Sequence, residues 1–512
     1  MDQDRARGFA HDAALINLAV LHNDLIRPQH LACEQQDSQP FIETLHLNVK
    51  IIAVKALRLI TPLLFFASWA LAIPSSSVLP PQLSTISVLP VLLQLSTEPV
   101  HEEIPDAQGG FFLVWGDSAS VSGAHLLGKH FTAQGRLTGS FKEMLLVPQM
   151  ETLEDWAAFP DGTGGLAIAW VAAGQLSVRR FSEALEPKFQ SLVVSRQFPK
   201  RPAGIPADGG ALDLVWAENQ STSRHVLKAQ RIDAQGRTLW TEGGMPFSIG
   251  ASLETYSRLQ SDNAGGFIVA WYDVRDDKGI SRFRIQRINA AGQLLWGSLG
   301  RTVIAPVLDS HPTPAMEPLG AGRIVVGWTA PEANAMRFFT QAFDLRGLPV
   351  QNAPPRAVSA LPVNNSETVL YGDERGNVWT AWTDWRNEQN WLVYLKKLPP
   401  TGEAVWQRPA MLSVYVENQR FPKIASDGRD GLFGIWIGDR LGKSGLYAQE
   451  LDEDGDRQWG EYGRLIAEVH HPRPPQLKTL SEAKALAVWS DQLGKDQWTL
   501  NAAILDAGPE PH

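Results

Sequence analysis

The chain has 512 residues, of which 44% are hydrophobic and 20% charged, and its formal net charge is −9. These values are ordinary for a globular protein, and the acidic balance argues against a nucleic-acid-binding function, which needs a concentrated basic surface. The single cysteine, Cys33, lies near the N-terminus, so neither disulfide bonds nor cysteine metal ligands contribute to the structure of the remaining chain.

The first recognisable element is a predicted signal peptide at residues 49–72, which read VKIIAVKALRLITPLLFFASWALA. Three basic residues precede an apolar run, and the segment ends in Ala-Leu-Ala, a pattern typical of a cleavage site. The uninterrupted apolar sequence extends only over residues 59–73, whereas a membrane-spanning helix needs about 20 apolar residues. We therefore expect a secreted or periplasmic protein without a stable membrane span after cleavage. The alternative is an uncleaved anchor with residues 1–48 in the cytoplasm.

The segments on either side of this signal peptide are predicted to be irregular. Residues 1–48 show no sustained periodicity, so we interpret them as a disordered segment or as an upstream extension that is not native. In the second case, translation would begin at Val49 through a non-AUG start codon. Residues 73–85 are rich in serine and proline and are predicted to form a linker.

A repeated segment dominates the rest of the chain. Each copy is a short apolar stretch that ends in tryptophan, usually nine residues after an aspartate, as in DAQGGFFLVW and DNAGGFIVAW. The copies follow one another at a period of about 54 residues, which is typical of repeat architectures. They end at Trp115, Trp170, Trp216, Trp271, Trp328, Trp382, Trp436 and Trp489.

Each repeat is predicted to contain four short antiparallel strands. In the fourth repeat, a strand near Tyr256–Leu259 is followed by the turn Asp262–Gly266, the apolar strand Phe267–Trp271, the alternating strand Arg282–Ile288 and a fourth strand within Leu294–Ile304. Four strands per unit, in units that cannot bury both faces alone, are typical of a propeller blade. We expect the repeat tryptophans to be buried between adjacent sheets.

The two ends of the repeat array predict a closed ring. The last repeat stops after its third strand, and residues 87–99 have the pattern of the missing fourth strand. An N-terminal strand in that place would pair both open sheet edges, which otherwise invite aggregation. The sequence therefore predicts an all-β fold over residues 86–512: an eight-bladed β-propeller of four-stranded antiparallel blades, closed by an N-terminal strand that completes the last blade.

Charged residues follow the repeat tryptophans in the predicted loop between the second and third strands. This loop opens on the same face of the disc as the connection between blades, so these residues are candidates to bind a partner at the mouth of the central channel. They are Asp117, Glu218, Asp273, Arg275, Asp384, Arg386, Asp439, Arg440 and Asp491. Alternatively, each aspartate stabilises its own turn or pairs with a neighbouring arginine, because recurrence from unit to unit is typical of a structural role.

Metal and catalytic motifs are weak in the repeat region. The segment LDEDGDRQWGE, with Asp452, Asp454 and Asp456, resembles the start of a calcium loop, but it occupies the place of a hairpin turn in the other repeats. No G-x-S-x-G, H-E-x-x-H or P-loop pattern occurs, and no pair of carboxylates is singled out as catalytic. We expect no cofactor and no bound metal.

The pattern D-x-x-G-G-x-x-x-x-W-x-D-x-R, followed by Q-R-I-D-A-x-G-x-x-L-W, resembles the repeat of uncharacterised secreted bacterial β-propeller proteins. The resemblance covers residues 100–512 and implies the fold without an activity. The segments DAQGRTLW and PTGEAVW are similar to the turn-plus-tryptophan docking motif of quinoprotein-type propeller repeats, found in quinone-dependent alcohol dehydrogenases and in a propeller subunit of the outer-membrane assembly machinery. The paired cysteines of the dehydrogenases are absent, so no quinone cofactor is implied.

Three functions are compatible with these observations. The first is an exported, non-catalytic, monomeric β-propeller that recognises a protein or glycan partner on one face of the disc; we favour it because the repeats are regular and show no asymmetric cluster of reactive residues. The second is an extracellular polysaccharide-acting enzyme, a glycoside hydrolase or lyase, with carboxylates and arginines at the channel mouth. The third is an envelope-assembly scaffold. A propeller fold alone does not choose among them.

Overall fold

The computed structural model describes residues 84–507, apart from short internal gaps. The gaps are 118–123, 139–143, 151–152, 222–223, 249–257, 275–280, 308–314, 321, 333–334, 351–353, 360–365, 386–388, 400–405, 407–408 and 482. The predicted signal peptide, the segment before it and most of the predicted linker lie outside the described residues. Among the residues that are described, no helix is long and apolar enough to cross a membrane.

The described residues form eight antiparallel sheets, which are the blades of an eight-bladed β-propeller. The chain begins with β1 (Thr85–Val88) and β2 (Leu93–Leu95). Blade 1 then contains β3 (Val100–Pro105), β4 (Phe111–Asp117), β5 (Ala124–Phe131) and β6 (Met144–Met150). Blade 2 contains β7 (Asp155–Pro160), β8 (Leu166–Ala172), β9 (Gln175–Phe181) and β10 (Leu192–Ser195). Blade 3 contains β11 (Pro199–Ala207), β12 (Ala211–Ser221), β13 (Arg224–Ile232) and β14 (Met245–Pro246). Blade 4 contains β15 (Arg258–Ser261), β16 (Phe267–Val274), β17 (Ser281–Ile288) and β18 (Arg301–Val307).

The second half of the ring repeats the same order of strands. Blade 5 contains β19 (Ala315–Leu319), β20 (Arg323–Glu332), β21 (Ala335–Phe343) and β22 (Arg356–Ala357). Blade 6 contains β23 (Ser366–Gly372), β24 (Val378–Asp384), β25 (Leu392–Leu398) and β26 (Ala410–Met411). Blade 7 contains β27 (Gln419–Ser426), β28 (Leu432–Arg440), β29 (Lys443–Leu451) and β30 (Arg464–Glu468). Blade 8 contains β31 (Gln476–Ser481), β32 (Lys484–Gly494) and β33 (Gln497–Asp506).

The N-terminal strands complete blade 8, as the sequence predicts. Both β1 and β2 pair antiparallel with β33, the last strand of the chain. Between them, the Leu89 N–H donates to the Ala502 carbonyl and the Leu92 N–H to the Leu500 carbonyl, each at 2.9 Å. The two ends of the chain therefore share one sheet, and the ring has no open edge between its first and last blades.

The first strand of each blade is the innermost one. Each of the strands β3, β7, β11, β15, β19, β23, β27 and β31 contacts the first strand of the next blade, and β31 contacts β3. This closed circle of contacts surrounds the central channel. Since the strands of a blade alternate in direction, the first-to-second and third-to-fourth turns lie on one face of the disc, termed the turn face. The second-to-third loops and the connections between blades lie on the other, termed the loop face.

The hydrophobic core is divided among the spaces between blades. Eight clusters of buried side chains fill the eight interfaces formed by the described residues. All eight repeat tryptophans are buried, as predicted. The second strands are apolar at consecutive positions because both of their sides pack against a neighbouring blade, as Leu432–Ile437 of β28 does.

The aspartate of the D-x-x-G-G pattern closes the first turn of the blade. In blade 4, Asp262 Oδ1 accepts the N–H groups of Ala264 and Gly266 at 2.8 and 2.7 Å. A Cβ atom on Gly266 would lie 2.3 Å from the Ile288 carbonyl oxygen, so only glycine fits there. Arg287 of the third strand pairs with the same carboxylate at 2.7 Å. This repeated aspartate therefore acts within the scaffold, on the turn face.

The second glycine of the repeat receives an aromatic ring from the preceding blade. Gly292 adopts φ +79°, and a Cβ atom on it would lie 3.0 Å from the indole of Trp240 in blade 3. The Trp240 indole N–H donates to the Ala290 carbonyl at 3.1 Å. The same docking joins Trp296 to Gly347. At the turn face, a tryptophan of one blade thus packs on a glycine of the next blade and joins the two.

Candidate functional site

In blades 3 and 6, the carboxylate two residues after the repeat tryptophan accepts a hydrogen bond from the indole N–H. In blade 3, Trp216 and Glu218 are two positions apart in β12, so their side chains point to the same side of the sheet. The Trp216 indole N–H donates to Glu218 Oε1 at 2.8 Å, and the Ser195 hydroxyl donates to the same oxygen. Lys228 pairs with Oε2 at 2.7 Å. Glu218 is therefore buried with three partners, two from its own blade and Ser195 from β10 of blade 2.

Two further predicted carboxylates are also engaged inside the protein. Asp384 is fully buried and accepts the indole N–H of Trp382 at 2.8 Å. Asp491 is buried and accepts the backbone N–H groups of His470 and His471 at 3.0 and 2.8 Å, which fixes the connection between blades 7 and 8. These contacts give both residues a structural role at the loop face.

The predicted pair Asp439 and Arg440 ends β28 at the loop face. Asp439 accepts a hydrogen bond from the Ser444 hydroxyl at 2.6 Å, within its own hairpin. The Arg440 guanidinium lies over the rings of Tyr447 and Tyr415, 3.8 and 5.1 Å from their centroids, and it also donates to the backbone carbonyl of Tyr462. Arg440 is the one predicted arginine that lies within the described residues, and it stacks on aromatic rings.

The other predicted binding residues are described in part or not at all. Asp117 and Asp273 lie at the loop-face ends of β4 and β16, and the structure describes their backbone but not their side chains. Arg275 and Arg386 lie outside the described residues. A role of these residues in binding stays a prediction.

The weak calcium candidate forms an ordinary hairpin turn between β29 and β30. Asp452 Oδ1 accepts the N–H groups of Asp454 and Asp456 at 3.1 and 2.9 Å, and its Oδ2 accepts the Gln458 amide at 2.7 Å. This is the turn that Asp233 and Asn289 make in blades 3 and 4. Within the described ranges, no three or more His, Cys, Asp or Glu residues are grouped to hold a metal ion.

Two pairs of aromatic rings flank the connection between blades 6 and 7. Trp385 follows β24 and Trp391 precedes β25, with ring centroids 5.7 Å apart. Tyr415 lies in the connection itself and contacts Tyr462 edge-on, with centroids 6.0 Å apart. Arg440 stacks on the Tyr415 ring and donates to the backbone carbonyl of Tyr462. We term the surface formed by these four aromatic residues and Arg440 the 6–7 cleft.

Backbone hydrogen bonds hold the two sides of the 6–7 cleft together. Asn418 Oδ1 accepts the Trp391 N–H at 3.1 Å, and the Trp391 carbonyl accepts the Gln419 N–H at 2.7 Å. On the other side, the Asn418 carbonyl accepts the Asp439 N–H at 2.9 Å. The connection therefore lies one strand spacing from each blade, so Trp391 and Asp439 are two spacings apart, roughly 10 Å.

The 6–7 cleft presents large apolar side chains to solvent. Trp385 and Tyr462 are each 51% exposed, and the neighbouring Val416 and Leu441 are 63% and 88% exposed. Burial lowers the pKa of the Arg440 guanidinium. Exposed apolar side chains that cluster on one surface are typical of an interaction site. The cleft extends from the loop face, where Trp385 and Leu441 lie, to the outer edge of blade 7, where Tyr462 precedes β30. It is therefore the strongest candidate for a binding surface.

A second cluster of charged residues lies on the innermost strands, around the central channel. Burial raises the pKa of Glu317 in β19 to about 7, although the positive charge of Arg258 in β15 acts in the opposite direction. Burial also raises the pKa of Glu102 in β3, whose carboxylate lies 3.9 Å from the Lys478 ammonium of β31. It lowers the pKa of Lys423 in β27. Acidic and basic side chains of neighbouring blades thus lie near one another around the channel.

Sequence reasoning did not single out most of these residues. It named Arg440, but not Trp385, Trp391, Tyr415 or Tyr462, because attention to the repeated positions favours what all blades share. A signal was present: the sixth repeat reads WTDWRNEQNW and carries two tryptophans beyond the repeat tryptophan Trp382. The channel residues lie on first strands, where the repeat pattern is weakest.

No family model and no curated protein sequence matches this chain. Solved structures with a similar fold include the Dos1 propeller, at 9% identity and a TM-score of 0.42, covering 83% of this chain and 96% of that chain. The polysaccharide lyase Uly1 aligns at 8% identity with a TM-score of 0.39, over 82% of this chain and 100% of its own. A protein of unknown function from Dyadobacter fermentans aligns at 13% identity with a TM-score of 0.35, over 60% of this chain and 94% of its own.

Proposed function

We propose that this protein is an exported, non-catalytic β-propeller that binds a protein or glycan partner through the loop face of the disc, with the 6–7 cleft as the contact surface. The observation that carries the proposal is the 6–7 cleft itself, where two ring pairs lie beside a stacked arginine and one ring of each pair, Trp385 and Tyr462, is exposed. Propellers commonly hold a partner on one face of a rigid ring, and loops on a rigid scaffold are frequent binding sites.

The fate of the repeated carboxylates supports a binding role over a catalytic one at this face. Glu218, Asp384 and Asp491 are buried and accept hydrogen bonds from groups of the propeller scaffold. Such carboxylates are engaged by groups of the scaffold and stabilise it. The 6–7 cleft, which does not follow the repeat, is instead aromatic. Aromatic and arginine side chains supply much of the energy in binding interfaces.

Site-specific cross-linking tests this proposal. A photo-reactive amino acid replaces Leu441, at the tip of a loop-face hairpin next to the cleft, or Asp454, at an exposed turn on the opposite face. Cross-linking in intact cells is followed by mass spectrometry, and a glycan array is probed with the purified protein. A partner cross-linked from position 441 but not 454, or a glycan bound without turnover, supports the proposal. The absence of a cross-linked partner together with the absence of glycan binding contradicts it.

The identity of a cross-linked protein and its location separate the alternatives. Outer-membrane assembly proteins as partners would indicate an envelope scaffold, which is a special case of the same binding role. Fractionation of cells into periplasm, membrane and medium tests export, and the mass of the exported chain tests cleavage after residue 72. A full-length chain confined to the cytoplasm would contradict the export part of the proposal.

A polysaccharide-acting enzyme is the second candidate, and one observation favours it. The pKa of Glu317 is raised to about 7 by burial beside the channel, so the carboxyl group holds a proton near neutral pH, as a general acid must. Release of reducing ends or unsaturated products from a polysaccharide panel, lost in Glu317→Gln, would establish this activity and displace the non-catalytic proposal.

A further inference from the structure

We infer that the 6–7 cleft takes a protein segment in which an acidic side chain is flanked by apolar ones, and that Arg440 pairs with that carboxylate. This inference rests on the proposed function, because it narrows the partner from a protein or glycan to one of these two classes. It combines two observations: an arginine held in place without an acidic partner, and a rim of exposed aliphatic side chains.

Arg440 is held in place without a carboxylate. One terminal nitrogen donates to the Tyr462 backbone carbonyl, and the guanidinium plane lies over the rings of Tyr447 and Tyr415. In the part of the chain that the structure describes, no Asp or Glu forms an ion pair with it, and the adjacent Asp439 is engaged by Ser444. The remaining N–H groups keep the fork geometry that binds a carboxylate with two hydrogen bonds.

The rim of the cleft distinguishes a protein partner from a glycan. Val416 and Leu441 are exposed, and so is Leu465, beside Tyr447. Aliphatic side chains offer no hydrogen bonds to sugar hydroxyls, which lose their water on binding. They do pack well against apolar side chains of a peptide. Tryptophan, tyrosine and arginine together are the residues most enriched among the strongest contributors to protein–protein binding.

The cleft is also prepared for binding before a partner arrives. The connection that carries Tyr415 is bonded to both blades through Asn418, and the Val414 N–H donates to the Glu461 carbonyl next to Tyr462. The backbone that carries Trp391 and Tyr415 and the Arg440 guanidinium are thus held by the scaffold before a partner binds. Such preorganisation lowers the entropic cost of association. A short acidic–apolar segment is therefore sufficient for measurable affinity.

Selection from a phage-displayed library of random peptides tests the inference on the whole protein. The probe is the library itself, selected on the wild type and counter-selected on Arg440→Ala. Enriched peptides should contain Asp or Glu next to aromatic or aliphatic residues. A synthetic consensus peptide, measured by fluorescence polarisation, should bind Arg440→Ala at least tenfold more weakly and Arg440→Lys with intermediate affinity, because lysine keeps the charge but not the fork.

Controls separate loss of pairing from loss of structure. Phe198→Ala removes an aromatic side chain that is 66% exposed on the same face between blades 2 and 3, and should leave the affinity unchanged. Replacing the peptide's acidic residue with its amide should weaken binding to the wild type about as much as Arg440→Ala does, with little further loss in that variant. Unchanged urea midpoints confirm that the variants fold.

Each outcome decides between the inference and the broader proposal. Enriched peptides without an acidic residue, or equal affinity for wild type and Arg440→Ala, overturn the inference but leave a protein-binding face. A glycan on the array that depends on Trp385 or Tyr462, with no enriched peptide, overturns the inference in favour of a sugar and leaves the proposed function standing. Failure of peptides, glycans and cross-linking together overturns both.

Discussion

Replacing Glu218 with alanine tests whether the carboxylates that follow the repeat tryptophans stabilise the blades. Glu218 accepts hydrogen bonds from the Trp216 indole and the Ser195 hydroxyl, and it pairs with Lys228. Trp216 and Ser195 are buried, so neither can find water when the acceptor is lost. Lys228 is about one-fifth exposed and can turn towards solvent.

The expected destabilisation follows from the two buried donors, the Trp216 indole N–H and the Ser195 hydroxyl, that lose their acceptor. An unsatisfied buried donor costs about 1–3 kcal/mol, and two of them give a loss of about 4 kcal/mol in the free energy of unfolding. The ion pair with Lys228 adds little, because partly exposed pairs contribute about 0–1 kcal/mol. Trp216→Phe removes one of the same hydrogen bonds and some packing, and we expect it to cost about 2 kcal/mol.

Urea unfolding monitored by circular dichroism measures both variants and the double mutant. If the indole–carboxylate contact is real, the double mutant should be more stable than the sum of the single losses predicts, by about 1–2 kcal/mol. Asp454→Ala, an exposed residue on the turn face, is the control and should change stability by less than about 0.5 kcal/mol. The structural role is refuted if Glu218→Ala lowers the free energy of unfolding as little as the control does, or if the losses of the two single mutants simply add. Glu218 would then again be a candidate binding residue.

Three further changes test the ring and the channel by urea unfolding. Leu89→Ala, in the N-terminal segment that completes blade 8, should cost about 2–5 kcal/mol, and a neutral result would contradict ring closure. Trp240→Ala, which undocks blade 3 from Gly292, should cost about 2–3 kcal/mol; a loss below 1 kcal/mol would show that docking is dispensable. The raised pKa of Glu317 favours its neutral form in the folded state, so its contribution is fully present below about pH 4.5 and is lost as the pH rises through about 7. From pH 5 to 8 the wild type should therefore lose about 2 kcal/mol relative to Glu317→Gln, and a constant difference would show that Glu317 ionises freely.

The sequence determines the blade and the ring. Trp271 follows its aspartate by nine residues, the repeat tryptophans recur about every 54 residues, and a four-stranded unit with a glycine-containing turn accounts for this spacing. The missing fourth strand at one end of the repeat array and the spare strand at the other predict closure without any coordinates. The position of Glu218 on the same side of its strand as Trp216 was also within reach of the sequence, because residues two apart in a strand share a side.

The binding surface depends on contacts that no repeat pattern contains. Trp385, Tyr415, Arg440 and Tyr462 come from four different segments of two blades, and the inter-blade connection brings them together through hydrogen bonds of Asn418. The repeated residues are those that every blade needs in order to pack. A binding site instead uses residues that one pair of blades has and the other blades lack. The sequence by itself therefore determined the scaffold, because packing obeys a period. Only the tertiary structure decided where the candidate binding surface lies, because that surface is formed by side chains that are distant along the chain.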